Sequence, residues 1–360
     1  MVEILYQMPL KNIKFIDRKV KITADKTLII GASGSGKTAL VCEFLSRFKT
    51  NERLYIDLSD LRVDEILGSL GKFLKSHDEI RAVCVEGVKT QSEIEILKNQ
   101  VKNEFLIITT QNKTLNFSPF STIFLGYLDY EEFILFFKKN LDESMLFSHF
   151  LAHGVSLKSA FIDASFNAEI LQNELKSKLS FLNLSIIKEC ANFVSLNVSA
   201  FEIFKALKQK MKISKNSVYS GFNELCELGY ILNVPKFSEH GAKNRLFFAN
   251  FALKNALSLK KDFTQSFKNA VFCELLKLNS EIFYTKELDF YLPKRGLGVL
   301  CLPFLDAKIA LLKFQKLHAN FKALNITKIQ IISVSNADFK AFEGIRCEVV
   351  PFYRWALAID

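Results

Sequence analysis

A chain of 360 residues exceeds what one hydrophobic core supports, since single cores stop growing near roughly 250–300 residues, so two or three domains are expected. Its content of 49% hydrophobic and 24% charged residues is enough to bury such cores and excludes wholesale disorder. The net charge of +10 is not by itself a nucleic-acid signal, because 35 Phe beside one Trp point to a codon bias that enriches lysine throughout.

Strands and helices alternate in the first third, the pattern of a layered α/β domain. Short apolar runs predict strands at Thr27–Ile30, Arg53–Asp57, Ala82–Val85, Phe105–Thr109 and Thr122–Leu125. Between them, Lys37–Phe48 repeats Leu40, Val41, Phe44, Leu45 and Phe48 at helical spacing, and Val63–Ser76 and Ser92–Val101 read as further helices. Five short parallel strands joined by helices make a doubly wound nucleotide-binding layer over residues 1–128.

From Tyr130 the strands stop. Helices at Glu131–Lys139, Asp142–Leu151 and Asn167–Leu179 predict a helical lid over 129–179. Three more, Phe181–Phe193, Ala200–Gln209 and Lys215–Leu228, precede a hairpin of Tyr230–Pro235 and Arg245–Phe248 turned at Ser238–Lys243. Three helices and a hairpin predict a winged helix-turn-helix over 180–258. Residues 259–360 open with a helix at Asp262–Leu278 and turn to strands at Ile282–Tyr284, Leu288–Tyr291, Gly298–Leu302, Ile329–Ser335 and Cys347–Pro351. A helix at Asp306–Asn320 among them makes this a second α/β domain.

Seven scattered cysteines without a CxxC spacing exclude a disulfide scaffold and a zinc finger, and five dispersed histidines make no metal-ligand pattern. The stretch Thr114 to Leu128 is too short and too polar to span a bilayer, and the N-terminus carries Glu3 without a basic segment before an apolar core. A soluble cytoplasmic protein with no membrane partner is expected.

The most specific signal is Gly-Ala-Ser-Gly-Ser-Gly-Lys-Thr at 31–38, a full match to G-x4-G-K-[ST] between a strand and a helix. Its glycines let backbone amides turn inward around a phosphate at the positive end of the following helix. The nucleotide-binding set is therefore Gly31, Ala32, Ser33, Gly34, Ser35, Gly36, Lys37, Thr38 and Ala39. Lys37 is expected at the β- and γ-phosphates and Thr38 at Mg²⁺, which makes ATP and Mg²⁺ the predicted cofactors.

Hydrolysis further requires an acid that orders Mg²⁺ and, usually, a second that activates water. Glu86 ends the third strand and takes the metal position, so that Lys37 and Glu86 form the catalytic pair, but Gly87 stands where a general base is wanted. Asp57 and Asp60 are either further acids or ordinary strand-end caps. Thr110 to Asn112 is either a γ-phosphate sensor, with Asn112 as its candidate, or a plain turn. Slow ATPase turnover is the expectation.

The order of motifs is the P-loop, Leu54-Tyr-Ile-Asp-Leu-Ser-Asp60, Ala82-Val-Cys-Val-Glu-Gly87, Leu106-Ile-Ile-Thr-Thr-Gln-Asn112 and a segment from Phe124 to Phe137. It resembles prokaryotic AAA-type ATPases that carry a C-terminal nuclease-like domain, and the resemblance spans nearly the whole chain. In that family the third strand usually ends in an Asp-Glu pair, where this chain has Glu86-Gly87. Tyr127-Leu-Asp-Tyr-Glu-Glu-Phe133 stands for the family's segment leading into the lid, and His153-Gly-Val for its lid turn. Lys243 to Leu253 looks like its segment after the winged helix. The resemblance implies a PD-(D/E)xK nuclease-like fold for 259–360, with Mg²⁺ held on an Asp and a Glu beside a Lys. Glu287-Leu-Asp289-Phe matches the strand carrying the Asp, but Val299-Leu-Cys-Leu-Pro303 replaces Glu-x-Lys, and Lys268 stands where the opening helix often has Glu. A hard, oxygen-seeking ion is not held by Leu and Cys, so the nuclease site reads as degenerate. The fold class expected is thus α/β: a P-loop NTPase parallel sheet with a helical lid, a winged helix-turn-helix and a C-terminal α/β nuclease-like domain.

Residues 201–270 hold twelve Lys or Arg against five acids, which concentrates the charge surplus there. In the helix from Lys215, Val218, Phe222, Leu225 and Leu228 share the core face, and Ser214 is placed as its N-cap. The opposite face offers Lys215, Asn216, Tyr219, Ser220 and Asn223 to a major groove, and the hairpin adds Lys236, His240, Lys243 and Arg245 for the backbone. DNA-binding candidates are Lys215, Asn216, Tyr219, Asn223, Lys243 and Arg245. Glu224 and Glu227 in the same helix would repel phosphates, which leaves docking to a protein as the alternative.

Two functions stay open. One is a nucleotide-dependent switch that gates binding of double-stranded DNA or a partner. The other is an interaction scaffold of the defence or toxin–antitoxin kind, in which nucleotide is structural and the C-terminal domain recognises a partner protein. A homo-oligomer is open as well, since Arg53, Arg62 and Arg81 are equal candidates for an arginine finger.

Overall fold

The structure is a computed structural model describing residues 2–13, 18–63, 66–137, 141–156 and 162–359. It divides into two compact units, Met1–Tyr127 with Glu227–Gly229, and Leu128–Cys226 with Tyr230–Asp360. Among the described residues no helix is long and apolar enough to cross a membrane.

The first unit runs α1 (Val2–Gln7), β1 (Lys26–Ile30), α2 (Lys37–Leu45), β2 (Arg53–Asp57), α3 (Ile66–Lys75), β3 (Ala82–Glu86), α4 (Gln91–Gln100), β4 (Phe105–Thr110) and β5 (Ser121–Phe124). Its five strands form one sheet in the order β2-β3-β4-β1-β5, parallel at every pairing. Leu28, Ile30, Leu106, Ile108, Val83 and Val85 join the cluster that includes α3 and α4. Their neighbours Ile29, Ile107 and Cys84 join Leu40, Val41 and Phe44 of α2. Cover on both faces is why these strands read as unbroken apolar runs. Each fully buried aliphatic side chain contributes roughly 1.5–3 kcal/mol. The edge strand β5 is largely exposed. The expected α/β layer with a parallel sheet is present, consistent with a P-loop NTPase fold, and residues 31–36 fill the turn from β1 into α2. That turn lies outside the carboxyl end of a strand, where ligands bind in open parallel sheets.

The second unit opens with α5 (Tyr130–Phe136), α6 (Glu143–His153) and α7 (Asn167–Lys178). Next come α8 (Phe181–Cys190), β6 (Asn197–Val198), α9 (Ala200–Lys208), α10 (Lys215–Glu227), β7 (Ile231–Val234) and β8 (Asn244–Phe248). These strands pair antiparallel in the order β6-β8-β7. After α11 (Ala252–Leu257) and α12 (Phe263–Leu275) follow β9 (Phe290–Leu292), β10 (Leu297–Cys301), α13 (Ala307–Ala323), β11 (Lys328–Ser333), β12 (Asp338–Phe342), β13 (Ile345–Pro351) and α14 (Phe352–Ala358). Their sheet has the order β12-β13-β11-β10-β9, with a parallel centre and an antiparallel strand at each edge. Phe314 and Phe321 of α13 are buried with Leu300, Ile329, Ile331 and Val349 of the sheet.

Several elements depart from expectation. The strand expected at Ile282–Tyr284 is reduced to isolated bridges, Phe283 with Tyr291 and Tyr284 with Lys236. The short elements α1, α11, β6, β12 and α14 carry too few residues for a periodic pattern to show, and tertiary packing holds them instead: Phe352 and Trp355 of α14 are buried, and the Trp355 indole donates to Gln330 at 3.0 Å. β12 is specified by its turn, where Glu343 and Gly344 both have positive φ, the requirement of a tight two-residue hairpin. Positions 64–65 and 138–139 of the expected helices lie outside the described residues.

Candidate functional site

Local geometry explains the glycines of the loop. Gly36 caps α2 with φ 97°, a left-handed conformation that other residues adopt only with strain. A Cβ on Gly31 would lie 2.6 Å from the Leu125 carbonyl oxygen. Lys37 Nζ donates to the carbonyls of Gly31 at 2.6 Å and Ala32 at 2.9 Å, so its ammonium is folded over the loop. Ser33, Ser35 and Ala39 are buried, while Ala32, Gly34, Gly36, Lys37 and Thr38 are half-buried. The Ser35 hydroxyl has no hydrogen-bond partner among the described residues, the kind of orphan that a phosphate oxygen satisfies.

Two residues outside the motif brace this loop. Arg18 is buried, and its guanidinium donates to the Ser35 carbonyl at 2.7 Å and to those of Gly126 and Tyr127 at 3.1 and 3.2 Å. The Tyr127 hydroxyl donates to the Ser33 carbonyl at 2.6 Å. Sequence reasoning placed Tyr127 only within a family segment and gave Arg18 no role; an arginine among charged neighbours carries no sign that it folds inward.

Thr38, the first-turn residue of α2, donates its hydroxyl to Glu86 Oε1 at 3.0 Å. Thr109 of β4 reaches the same oxygen at 3.4 Å, and the Tyr55 phenol of β2 donates to Oε2. Burial, then the Glu86 charge, push the Tyr55 phenol far above its ordinary range, so it stays a donor. Tyr55 was legible in principle: between Leu54 and Ile56 it faces the other side of a buried strand, where a phenol needs a polar partner. The Thr38 hydroxyl and Glu86 carboxylate are hard oxygen donors that suit Mg²⁺, which is ordinarily held by one or two protein groups together with phosphate and water oxygens. Among the described residues no group of three or more His, Cys, Asp or Glu gathers as a metal site.

Among the described residues no second acid stands ready beside Glu86. Gly87 has φ 80° and no side chain to offer. Asp57 sits in register with Glu86 on the neighbouring strand but is paired with Lys11 at 2.8 Å and accepts from the Ser59 backbone amide and hydroxyl. Burial raises its carboxyl, yet these contacts outweigh burial and hold it below the usual range. Asp60 is paired with Arg62. The Asn112 side chain is committed as well, with Oδ1 accepting from Thr114 N at 2.9 Å and Thr114 Oγ1 at 2.7 Å and Nδ2 donating to the Lys89 carbonyl at 3.4 Å. Arg53 donates to the carbonyls of Leu45 and Phe48, and Arg81 pairs with Glu104.

The DNA-binding candidates separate into two groups. Lys215 lies 5.3 Å from the ring centres of both Phe201 and Tyr219, and Lys205 lies 4.7 Å from that of Phe201. Lys215, Asn216, Tyr219, Ser220 and Asn223 are all exposed along α10, and Ser214 accepts from the Ser217 amide at 3.1 Å as the expected cap. The hairpin candidates differ. Lys243 pairs with Glu202 at 2.5 Å. Arg245 points inward, donating to Asn197 and to the Asp289 carbonyl and lying over the Tyr284 ring. Lys243 keeps an exposed ammonium while paired with Glu202, whereas Arg245 is half-buried and turned toward Asp289.

Asp289 is equally committed. Lys268 Nζ lies 2.6 Å from its Oδ1 and Arg245 Nη1 3.5 Å, while the Cys301 amide donates to Oδ2 at 2.8 Å. Two cations facing this carboxylate are the reverse of the electrostatics a divalent ion needs.

No protein-family profile matches the chain, and no curated protein matches it. Among solved structures it is similar to the Walker-type ATPase PABY2304 of Pyrococcus abyssi, at 14% identity and a TM-score of 0.46 over 65% of this chain and 91% of that one. It is also similar to the ORC1 protein of Aeropyrum pernix in complex with DNA, at 14% identity and a TM-score of 0.37 over 66% of this chain and 87% of that one.

Proposed function

We propose that the protein is an ATP-binding protein of the AAA type with slow ATPase turnover, in which nucleotide at residues 31–39 controls the binding of double-stranded DNA. The observation that carries the nucleotide reading is the Thr38–Glu86 contact beside a loop bearing Lys37. Backbone amides of the loop hold the phosphates, Lys37 exchanges its carbonyl contacts for phosphate oxygens, and Thr38 with Glu86 holds Mg²⁺. Mg²⁺, when bound, screens the phosphate charge. Slow turnover follows because Asp57 and Asp60 are tied up in ion pairs and Gly87 has no side chain.

In this reading 129–179 is the lid, 180–258 a winged helix-turn-helix and 259–360 a degenerate nuclease-like domain. The order α8-β6-α9-α10-β7-β8 is the element order of a winged helix. The test is ATP binding and turnover with and without duplex DNA at low salt, beside Lys37→Ala. Wild type is expected to bind ATP, to turn over slowly and to change its DNA affinity with nucleotide, and Lys37→Ala to lose all three. DNA affinity indifferent to ATP and to Lys37→Ala would remove the switch.

A second reading, the interaction scaffold, draws on the exposed Phe304, Ile309 and Leu312 of the C-terminal domain. Co-purification of one defined protein, lost in Ile309→Asp and with no DNA retained, would favour it.

A further inference from the structure

We infer that the exposed face of α10 reads A·T base pairs, and that α9 with the turn before α10, rather than the hairpin, supplies the phosphate contacts. The inference rests on the proposed winged helix-turn-helix.

Ion pairing across the module decides where a phosphate backbone fits. The hairpin cations Lys236, Lys243 and Arg245 are each matched to an acid: Glu239, Glu202 and Asp289. Lys205, Lys208, Lys212 and Lys215 are exposed and lie in no ion pair among the described residues. Lys205, Lys208 and Lys215 instead rest over Phe201, Phe204 and Tyr219. Ring contacts leave an ammonium's charge and donors available to solvent and to phosphate, whereas a carboxylate partner cancels the charge. The free positive field of the module is therefore on α9, the turn and the start of α10.

The exposed face of the same helix, α10, carries the side chains that would meet base edges. Asn216, Ser220 and Asn223 recur at helical spacing on one exposed stripe. None of the three side chains has a hydrogen-bond partner among the described residues. A carboxamide presents a donor and an acceptor together, the pattern that matches adenine N6 and N7, while guanine is read chiefly by a bidentate Arg. Residues 200–228 contain no arginine. The Tyr219 ring beside the stripe offers apolar surface to a thymine methyl. Glu224 and Glu227 follow Asn223 at the end of α10, which sets the polarity: the turns from Lys215 lead into the groove and the acids trail behind them.

The test is fluorescence anisotropy at low salt with three short duplexes: alternating A·T, alternating G·C, and the A·T duplex with 7-deaza-adenine, which lacks the N7 acceptor. Alternating sequence keeps the stiff, narrow groove of A-tracts from being the discriminator. Binding is expected to be at least about tenfold tighter to A·T than to either other duplex. Asn216→Ala with Asn223→Ala should remove that preference yet retain the G·C affinity. Lys212→Ala should weaken all three alike and lower the salt slope by about one. Equal affinity for all three duplexes overturns the A·T inference and leaves DNA binding standing. Unchanged binding in Lys212→Ala overturns the placement of the phosphate contacts. Failure to bind any duplex overturns the inference together with the reading beneath it.

Discussion

The Thr38 hydroxyl donates to Glu86 Oε1 across 3.0 Å, joining the end of the P-loop to the end of β3. The contact needs two pieces of register. β1 must deliver residues 31–36 so that α2 begins at Lys37, and β3 must end level with that turn. Both follow from the parallel pairing of β4 with β1 on one side and β3 on the other. The carboxylate is held at both oxygens, by Thr38 and Thr109 on one and Tyr55 on the other.

Glu86→Gln tests what the charge does. The amide oxygen still accepts a hydrogen bond, so much of the frame survives, but the negative charge is gone. Calorimetric titration of ATP with and without Mg²⁺ should show a Mg²⁺-dependent gain in affinity for wild type that falls about tenfold in the variant, the scale of one charge-assisted contact. An equal gain in both proteins would put the cation elsewhere.

Arg18→Ala tests the brace. The guanidinium is buried against three carbonyls, so its removal leaves acceptors unsatisfied and a void beneath the loop. A loss of about 2–4 kcal/mol in denaturant unfolding is expected, with ATP affinity reduced about tenfold as the loop loses its fixed shape. Tyr127→Phe removes only the bond to Ser33 and should cost about 1 kcal/mol. Loss of stability in Arg18→Ala at unchanged ATP affinity would make Arg18 a structural residue with no part in positioning the loop.

What the sequence made legible follows from periodicity and spacing. Strands buried on both faces announce themselves as apolar runs, and the P-loop is a contiguous motif, so the parallel sheet and residues 31–38 could be read directly. The partners of that loop could not, because Arg18 and Tyr127 are joined to Ser35 and Ser33 only by the fold. The ion pairs of the hairpin cations were hidden for a related reason. Nothing in the sequence marks Lys243 and Arg245 as paired, and their acids, Glu202 and Asp289, lie about 40 residues away on either side. Charge counts locate a surplus but not its pairing.

Asp289→Ala probes one of those pairs. Asp289 is buried, and the facing side chains of Arg245 and Lys268 are half-buried. Removing the shared anion leaves two cations facing one another and the Cys301 amide without its acceptor. A loss of about 3–5 kcal/mol in urea unfolding is expected, against a smaller loss for Lys268→Met, which leaves the Arg245 contact in place. Plasmid incubated with wild type and Mg²⁺ or Mn²⁺ should stay uncut. Cleavage by wild type that disappears in Asp289→Ala would show that the carboxylate still recruits a metal.

Glu274 of α12 gives the clearest pH dependence. It is buried, accepts from the Tyr130 amide at the start of α5 at 2.9 Å, and pairs with Lys277 at 2.5 Å. Lys277 also lies 3.5 Å from Asp129, the N-cap of α5. Burial pushes the Glu274 carboxyl up to about 7, and Lys277 offsets that only in part. Because this value is raised above the ordinary carboxyl range, the folded protein binds more protons than the unfolded chain between roughly pH 4.5 and 7. The resulting stability is fully present below that interval and is lost as pH rises through it. Urea unfolding at about pH 5 and about pH 8 should therefore show wild type losing stability relative to Glu274→Gln, which has no proton to release. Parallel pH profiles for the two proteins would mean that Lys277 keeps Glu274 ionised throughout and that the ion pair, rather than a proton, holds α12 to the start of α5.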